Sequence, residues 1–266
     1  MSEDEVLVTV AATVFGLGGW GFWGMRVAGI VHWPSRRSLL LPLAVALTIA
    51  ALTILFVLRV WSDAVVRVTP SYQFMYFMLG VAWLKVVESL FVWGGVSARD
   101  DVMERGNAAA VPAIGGSLIG VACAYAGGNI GDGPGWWVVV VSAVCGSVAL
   151  ALVWMWLSRL TRVIDTITID RDMAAGVRFG ALMIACGAIA GRAVAGDWQG
   201  LEGLSVDFLT IAPAMLPLLV LAIGFERLGV PTRDRPHPPV VLYGAVPAVL
   251  FLSSAAAFLV WLGPPQ

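Results

Sequence analysis

The chain has 266 residues, 59% of them hydrophobic and only 12% charged, with a formal net charge of −1 and a mean hydropathy of +0.89. Soluble domains carry about a quarter charged residues, so this chain has too little polar surface to cover a globule in water, and its solvent is the lipid bilayer. The near-neutral balance offers no electrostatic basis for binding nucleic acid.

The expected fold class is all-α: a polytopic integral membrane helix bundle of about eight transmembrane helices with an internal two-helix pseudo-repeat. Spans are predicted over roughly residues 6–31, 39–60, 72–96, 108–128, 136–157, 173–195, 208–225 and 240–262. The chain opens on the acidic Met-Ser-Glu-Asp-Glu, and no short apolar core leads to a small-residue cleavage site, so the first span is expected to be retained. Span one contains Gly16-x-Gly18-x-x-Gly21, which mimics a dinucleotide fingerprint. No βαβ unit surrounds it and the next acid is Asp63, so a helix with a small-residue face, flanked by Trp20 and Trp23, is the better reading. Span three carries Lys85, the only lysine of the chain, with Glu88 three residues on and therefore on the same helical face.

Span four follows the charged loop that contains Asp100, Asp101, Glu104 and Arg105, and it starts at the cap candidate Asn107. It ends in a turn from Gly127 to Gly135 that carries Asn129 and Asp132, read as a tight hairpin reversal or, alternatively, an outer mouth or partner contact. Span six starts at a second cap candidate, Asp172, and bears Arg178 about a turn and a half in. Pro213 and Pro217 in span seven, and Pro112 and Pro247 elsewhere, predict interrupted helices. Cys123, Cys145 and Cys186 lie inside apolar runs without metal or redox spacing and read as small packing residues. His32 and His237 sit beside charged loops, and no histidine lies in an apolar run, which disfavours a membrane haem or a zinc site. No cofactor is expected.

Arginine sets the orientation. Arg36 and Arg37, Arg99 and Arg105, Arg159, Arg162 and Arg171, and Arg227, Arg233 and Arg235 follow spans one, three, five and seven. The opposite side holds mainly acids: Glu3, Asp4, Glu5, Asp63, Asp132, Asp197, Glu202 and Asp207. The arginine side is read as cytoplasmic, with both termini extracytoplasmic. Tryptophans at the predicted span ends, among them Trp61, Trp93, Trp136, Trp137, Trp156, Trp198 and Trp261, suit interfacial belts.

Setting Ala109-Ala110 against Ala174-Ala175 aligns Asn107 with Asp172 and Gly115 with Gly180. Spans four and six are then copies that run the same way. Each is lined with glycine at helical spacing, Gly116 and Gly120 in one, Gly176 and Gly180 in the other. Small residues let helix backbones approach closely in lipid, so these read first as packing faces and, alternatively, as a shared site where the two spans meet. The pattern resembles the YjfL family of small bacterial inner-membrane proteins, also catalogued as domain of unknown function 350. There, a charged loop ending in Asn-x-Ala-Ala opens a glycine-rich helix, and an x-Ala-Ala-Gly helix follows two spans later. The matching residues are Asn107, Ala109, Ala110, Gly116 and Gly120, then Ala174, Ala175, Gly176 and Gly180, with the turn from Gly128 to Asp132 where the family has a polar turn. Asp172 stands where the family tends to have Asn. The resemblance covers residues 70–200, with a core at 71–200 and extensions at 1–70 and 201–266. It implies a plasma-membrane protein of unassigned activity, associated with envelope-stress systems including PspA-like partners, and it brings no catalytic residues.

The absence of a nucleophile–base pair or cofactor motif leads to the expectation of a non-enzymatic scaffold or accessory subunit, whose partners are the bilayer and other membrane proteins or a second copy. The alternative is a small-ion channel or transporter using an intramembrane cluster of Lys85, Glu88 and Arg178, since charges at that depth are functional by default. A membrane enzyme acting on lipid ranks third. It would draw its acids from Asp100, Asp101, Glu104 and Asp170, residues of a kind that usually form solvated faces.

Overall fold

The structure, a computed structural model, describes residues 1–29, 34–232 and 238–264. His32, His237, Arg233 and Arg235 lie outside the described residues, as do the side chains of Arg36 and Arg37. Among the described residues eight helices are long and apolar enough to cross a membrane: α1 (Glu3–Ala28), α2 (Pro34–Val60), α3 (Pro70–Leu90), α4 (Ala110–Gly127), α5 (Trp136–Leu160), α6 (Met173–Ala193), α7 (Gly200–Leu228) and α8 (Val246–Leu262, with the turn before it). No sheet is present among the described residues. The protein is a multi-pass helical membrane bundle. Its backbone polar groups are met within the helices, as lipid demands.

The centre is the pair α4 and α6, with 83% and 78% of their apolar windows buried. Their glycines explain why. A methyl group added at Gly116 would collide with the Gly180 backbone, at Gly120 with the Met183 carbonyl, and at Gly127 with the Gly191 carbonyl. Seen from the other helix, Gly176 meets the Ala109 carbonyl, Gly180 that of Pro112, Gly187 that of Gly120, and Gly191 that of Cys123. The two helices therefore run parallel, backbone against backbone, and dispersion over that seam replaces the hydrophobic drive that lipid does not supply. Around them, α2 packs on α4 where Ala46 faces Gly115, the entry to α8 packs on α6 where Gly244 faces Ala174, and Gly146 of α5 meets Ala124. By contrast, α1 packs mainly along α3, through Gly16 and Gly19, and only 11% of its apolar window is buried.

Several boundaries move. α7 begins at Gly200 rather than near 208, and its first turns carry Glu202 and Asp207. A 3-10 turn at Ala212–Ala214 breaks it at Pro213, as the prolines predict. Pro112 interrupts nothing: it is the third residue of α4, in the first turn, where a missing N–H costs no helical bond. Pro247 is the second residue of α8, in its first turn, after a π-helical turn at Val241–Ala245. The Arg-bearing loops after α3 and α5 fold into a π-helical turn, Ala98–Glu104, and a short helix, Val163–Thr168.

Candidate functional site

The two repeat copies share backbone detail at both ends. In the first, Arg105 N–H donates to Asp100 O (2.8 Å) and Asn107 N–H to Asp101 O (2.9 Å); in the second, Asp170 N–H donates to Asp165 O (3.1 Å) and Asp172 N–H to Thr166 O (3.0 Å). Gly106 (φ 65°) and its counterpart Arg171 (φ 55°) are both left-handed. Asp172 caps α6 by accepting from the N–H groups of Ala174 and Ala175, each at 3.1 Å. Asn107 differs from the expectation. α4 starts three residues later, and the Asn107 carboxamide accepts from Ala109 N–H (3.0 Å) while donating to Ile167 O (2.7 Å). It closes a turn ahead of the helix and ties the first copy to the loop that introduces the second. At this end Asp101, buried, accepts from Ser97 N–H (2.8 Å) and pairs with Arg105 (2.7 Å), and Arg99 pairs with Glu104 (2.8 Å).

The intramembrane charges do not form one cluster. Lys85 Nζ donates to Glu88 (2.6 Å) and to Ser89 Oγ (2.7 Å). Its stem lies over Gly19 of α1, and its ammonium is 5.5 Å from the centre of the Trp20 ring, so this pair sits in the α1–α3 interface. Arg178 is 1% exposed and makes a bidentate pair with Glu226 of α7, at 2.9 and 2.8 Å, with a further bond to the Tyr243 carbonyl. Arg178 thus pairs with Glu226, not with Glu88. Glu226 lies near the end of α7. Sequence reading missed Glu226. The signal was there: Glu226, just past the predicted end of span seven, and Arg178, near the start of span six, fall at the same end of two successive antiparallel spans.

At the other end, the turns after α4 and α6 are zipped together. Gly196 N–H donates to Ile130 O (2.9 Å) and Trp198 N–H to Asp132 O (2.8 Å), while Asp132 N–H donates to Asp197 Oδ1 (2.8 Å), its equivalent 65 residues on. Gly131 (φ 103°) and Gly196 (φ 134°) supply the left-handed backbone at equivalent positions, and a methyl at Gly131 would strike Gly196. Around this zipper is a recess of about 100 Å³, lined by Asp63, Asn129, Asp132, Asp197, Asp207 and Trp198 among others. The repeat thus brings Asp197 onto the turn that carries Asp132. The glycines expected at the seam of α4 and α6 bring the two backbones into direct contact along it. On one flank of the seam lies a broad apolar groove of about 600 Å³ between α2, α4, α6 and α8.

Eight spans, closed ion pairs and a glycine-welded repeat define a polytopic helical membrane protein built on duplicated helices. Residues 68–194 match the model of the family described as Domain of Unknown Function (DUF350), so the chain carries a DUF350 domain made of α3 to α6. That agrees with the resemblance read from Asn107 to Gly180. No curated protein and no solved structure matches the chain.

Proposed function

We propose that the protein is a non-enzymatic scaffold or accessory subunit of a membrane assembly, in the bacterial plasma membrane with its termini extracytoplasmic. One observation carries this reading: the deep ionisable groups close on partners inside the bundle, Lys85 on Glu88 and Arg178 on Glu226, as structural clasps rather than as a string of sites for a moving ion. The small-residue surface of α1 gives it a docking face. Gly18, Gly21 and Gly24 point away from the bundle with nothing within 4 Å. The arginine-rich loops supply a second contact surface at the cytoplasmic end. Capture of the protein from native membranes in mild detergent should bring down partner membrane proteins or a second copy, through α1. Recovery of a monomer alone counts heavily against the reading. The transport reading is tested by flux in liposomes, where the scaffold assignment expects Glu88→Gln to match wild type and a changed flux from a folded variant reverses the ranking.

A further inference from the structure

We propose that the apolar groove between α2, α4, α6 and α8 seats one phospholipid of the leaflet at the arginine-bearing end, with an acyl chain in the groove and the phosphate at its mouth beside Arg171. The duplication builds the floor. Pro112 and Val177, Gly115 and Gly180, and Ile119 and Ile184 all line the groove, and each pair holds equivalent positions of the two copies. The helices outside the repeat supply the walls. α2 stands on the α4 side with Val45 and Ile49, and α8 on the α6 side with Leu252, all three exposed, while Ala46 and Ala181 between them are buried.

The dimensions of the groove select a lipid chain. No charged, hydroxyl or amide side chain lines it, so a group that enters is hydrocarbon. α2, α4, α6 and α8 all start at the arginine-bearing end, and the lining runs from Leu39 to Ile49, from Ala108 to Ile119 and from Met173 to Ile184. At about 1.5 Å per residue these stretches cover about 15 Å, half of a hydrocarbon core of about 30 Å. The groove is therefore one leaflet deep. A partner's transmembrane helix does not fit it. Such a helix would run through the whole core, and even over half of it a cylinder about 10 Å across takes roughly 1,200 Å³, whereas the groove offers about 600 Å³.

The charge at the mouth suits a phosphate. Arg171 lies two residues ahead of the lining residue Met173, is exposed, and has no ion-pair partner among the described residues. Its backbone is left-handed (φ 55°), and the first copy has Gly106 at the equivalent position. Glycine adopts that backbone more readily than any residue with a side chain, so the turn does not account for the arginine. Among the acids of the same turns, Asp101 pairs with Arg105, Glu104 pairs with Arg99 and Asp172 caps α6, while Asp170 beside Arg171 is exposed. In sequence, Arg36 and Arg37 also stand just ahead of the lining residue Leu39. A guanidinium there holds a phosphate oxygen by charge-assisted hydrogen bonds. The chain only exchanges one apolar surrounding for another, so selectivity rests on shape and on this headgroup contact.

The experiment uses the full-length protein stripped of native lipid in dodecyl maltoside, titrated with palmitoyl-oleoyl phosphatidylglycerol and read by native mass spectrometry. Expected is a first adduct that forms about tenfold more tightly than those that follow, and about tenfold more tightly than the adduct of palmitoyl-oleoyl glycerol, which has the same chains and no phosphate. Arg171→Gln should abolish that preference for the phosphate. Val45→Trp/Leu252→Trp, at exposed positions on the two walls, should keep the fold and reduce the first adduct to the affinity of the rest. Should a variant fail to fold, wild type still decides: phosphatidylglycerol with a diazirine midway along one chain should cross-link within residues 42–49 and 177–184 in preference to the rest of the apolar surface. Labelling spread evenly over that surface, α1 included, overturns the proposal. So does a first adduct that keeps its affinity in the folded double variant. Equal binding of the phosphate-free lipid, or a phosphate preference that survives in Arg171→Gln, also overturns it and leaves the groove an unselective crevice.

Discussion

The two copies of the repeat agree in the turns at their ends and differ along their helices. Gly106 and Arg171, Asn107 and Asp172, and Gly131 and Gly196 do equivalent backbone work. Early in the helix, however, the first copy has Ala113, fully buried, where the second has Arg178. The first copy receives its neighbour α2 through apolar contact, Ala46 against Gly115. The second receives α7 and the entry to α8 through a guanidinium that reaches Glu226 and the Tyr243 carbonyl. One duplicated helix thus accepts added helices by packing, the other by a polar clasp. In lipid the two devices differ in kind: packing is tolerant of small changes in shape, whereas a buried ion pair fails completely when one member is lost.

The largest effect should come from breaking the feature common to both copies. Gly127→Leu or Gly176→Leu drives a side chain into a facing carbonyl and should cost about 3 kcal/mol or more, enough to abolish recovery of folded protein. The same substitution at Gly18 or Gly24 of α1, which face open space, should leave the unfolding temperature unchanged. Next in size is the feature that separates the copies. Glu226→Gln or Arg178→Met alone should destabilise by about 3–5 kcal/mol, measured by denaturation in mixed micelles, while the double variant Arg178→Met/Glu226→Met recovers most of that loss. If the singles and the double are equally unstable, the clasp is not an ion pair in energetic terms. Smaller still are the caps. Asp172→Ala should cost about 1 kcal/mol, and Asn107→Ala a similar amount, because it loses both the Ala109 N–H and the Ile167 carbonyl. Smallest is the left-handed position. Gly106→Ala should destabilise by about 1 kcal/mol, and Arg171→Gly should change stability by less than that, since relief at φ 55° offsets the added freedom of the unfolded chain.

Much of this was legible beforehand. Span count followed from apolar runs, and the 65-residue repeat followed from Ala109-Ala110 and Ala174-Ala175, because in lipid close helix contact requires small residues at helical spacing. Asp172 was legible as a cap because a short acceptor side chain precedes the helix, whereas the turn and cross-link made by Asn107 were not. The recess was hidden although its residues were in view: Asp63, Asp132, Asp197 and Asp207 come from four separate turns and helices, and spacing alone does not say that they border one recess. The alignment that pairs Asn107 with Asp172 already pairs Asp132 with Asp197, so half of that border lay within reach of the repeat argument. Arg178 was recognised as a deep charge but given the wrong partner. Depth restricts which groups can meet, but it does not specify lateral neighbours, and Glu226 lay just past the predicted end of span seven.

The glycine seam also has a consequence for how the protein is made. α4 is short and the least apolar of the eight spans, and most of its surface meets other helices, not lipid. It leaves the ribosome before α6, with the whole of α5 between them. Until α6 arrives, α4 must be held in the bilayer by α2 and α3, which are already inserted. Synthesis order therefore assigns the first extension a chaperoning duty within its own chain, and shortening or delaying α2 should show up as failed insertion of α4 before it shows up as instability of the finished bundle.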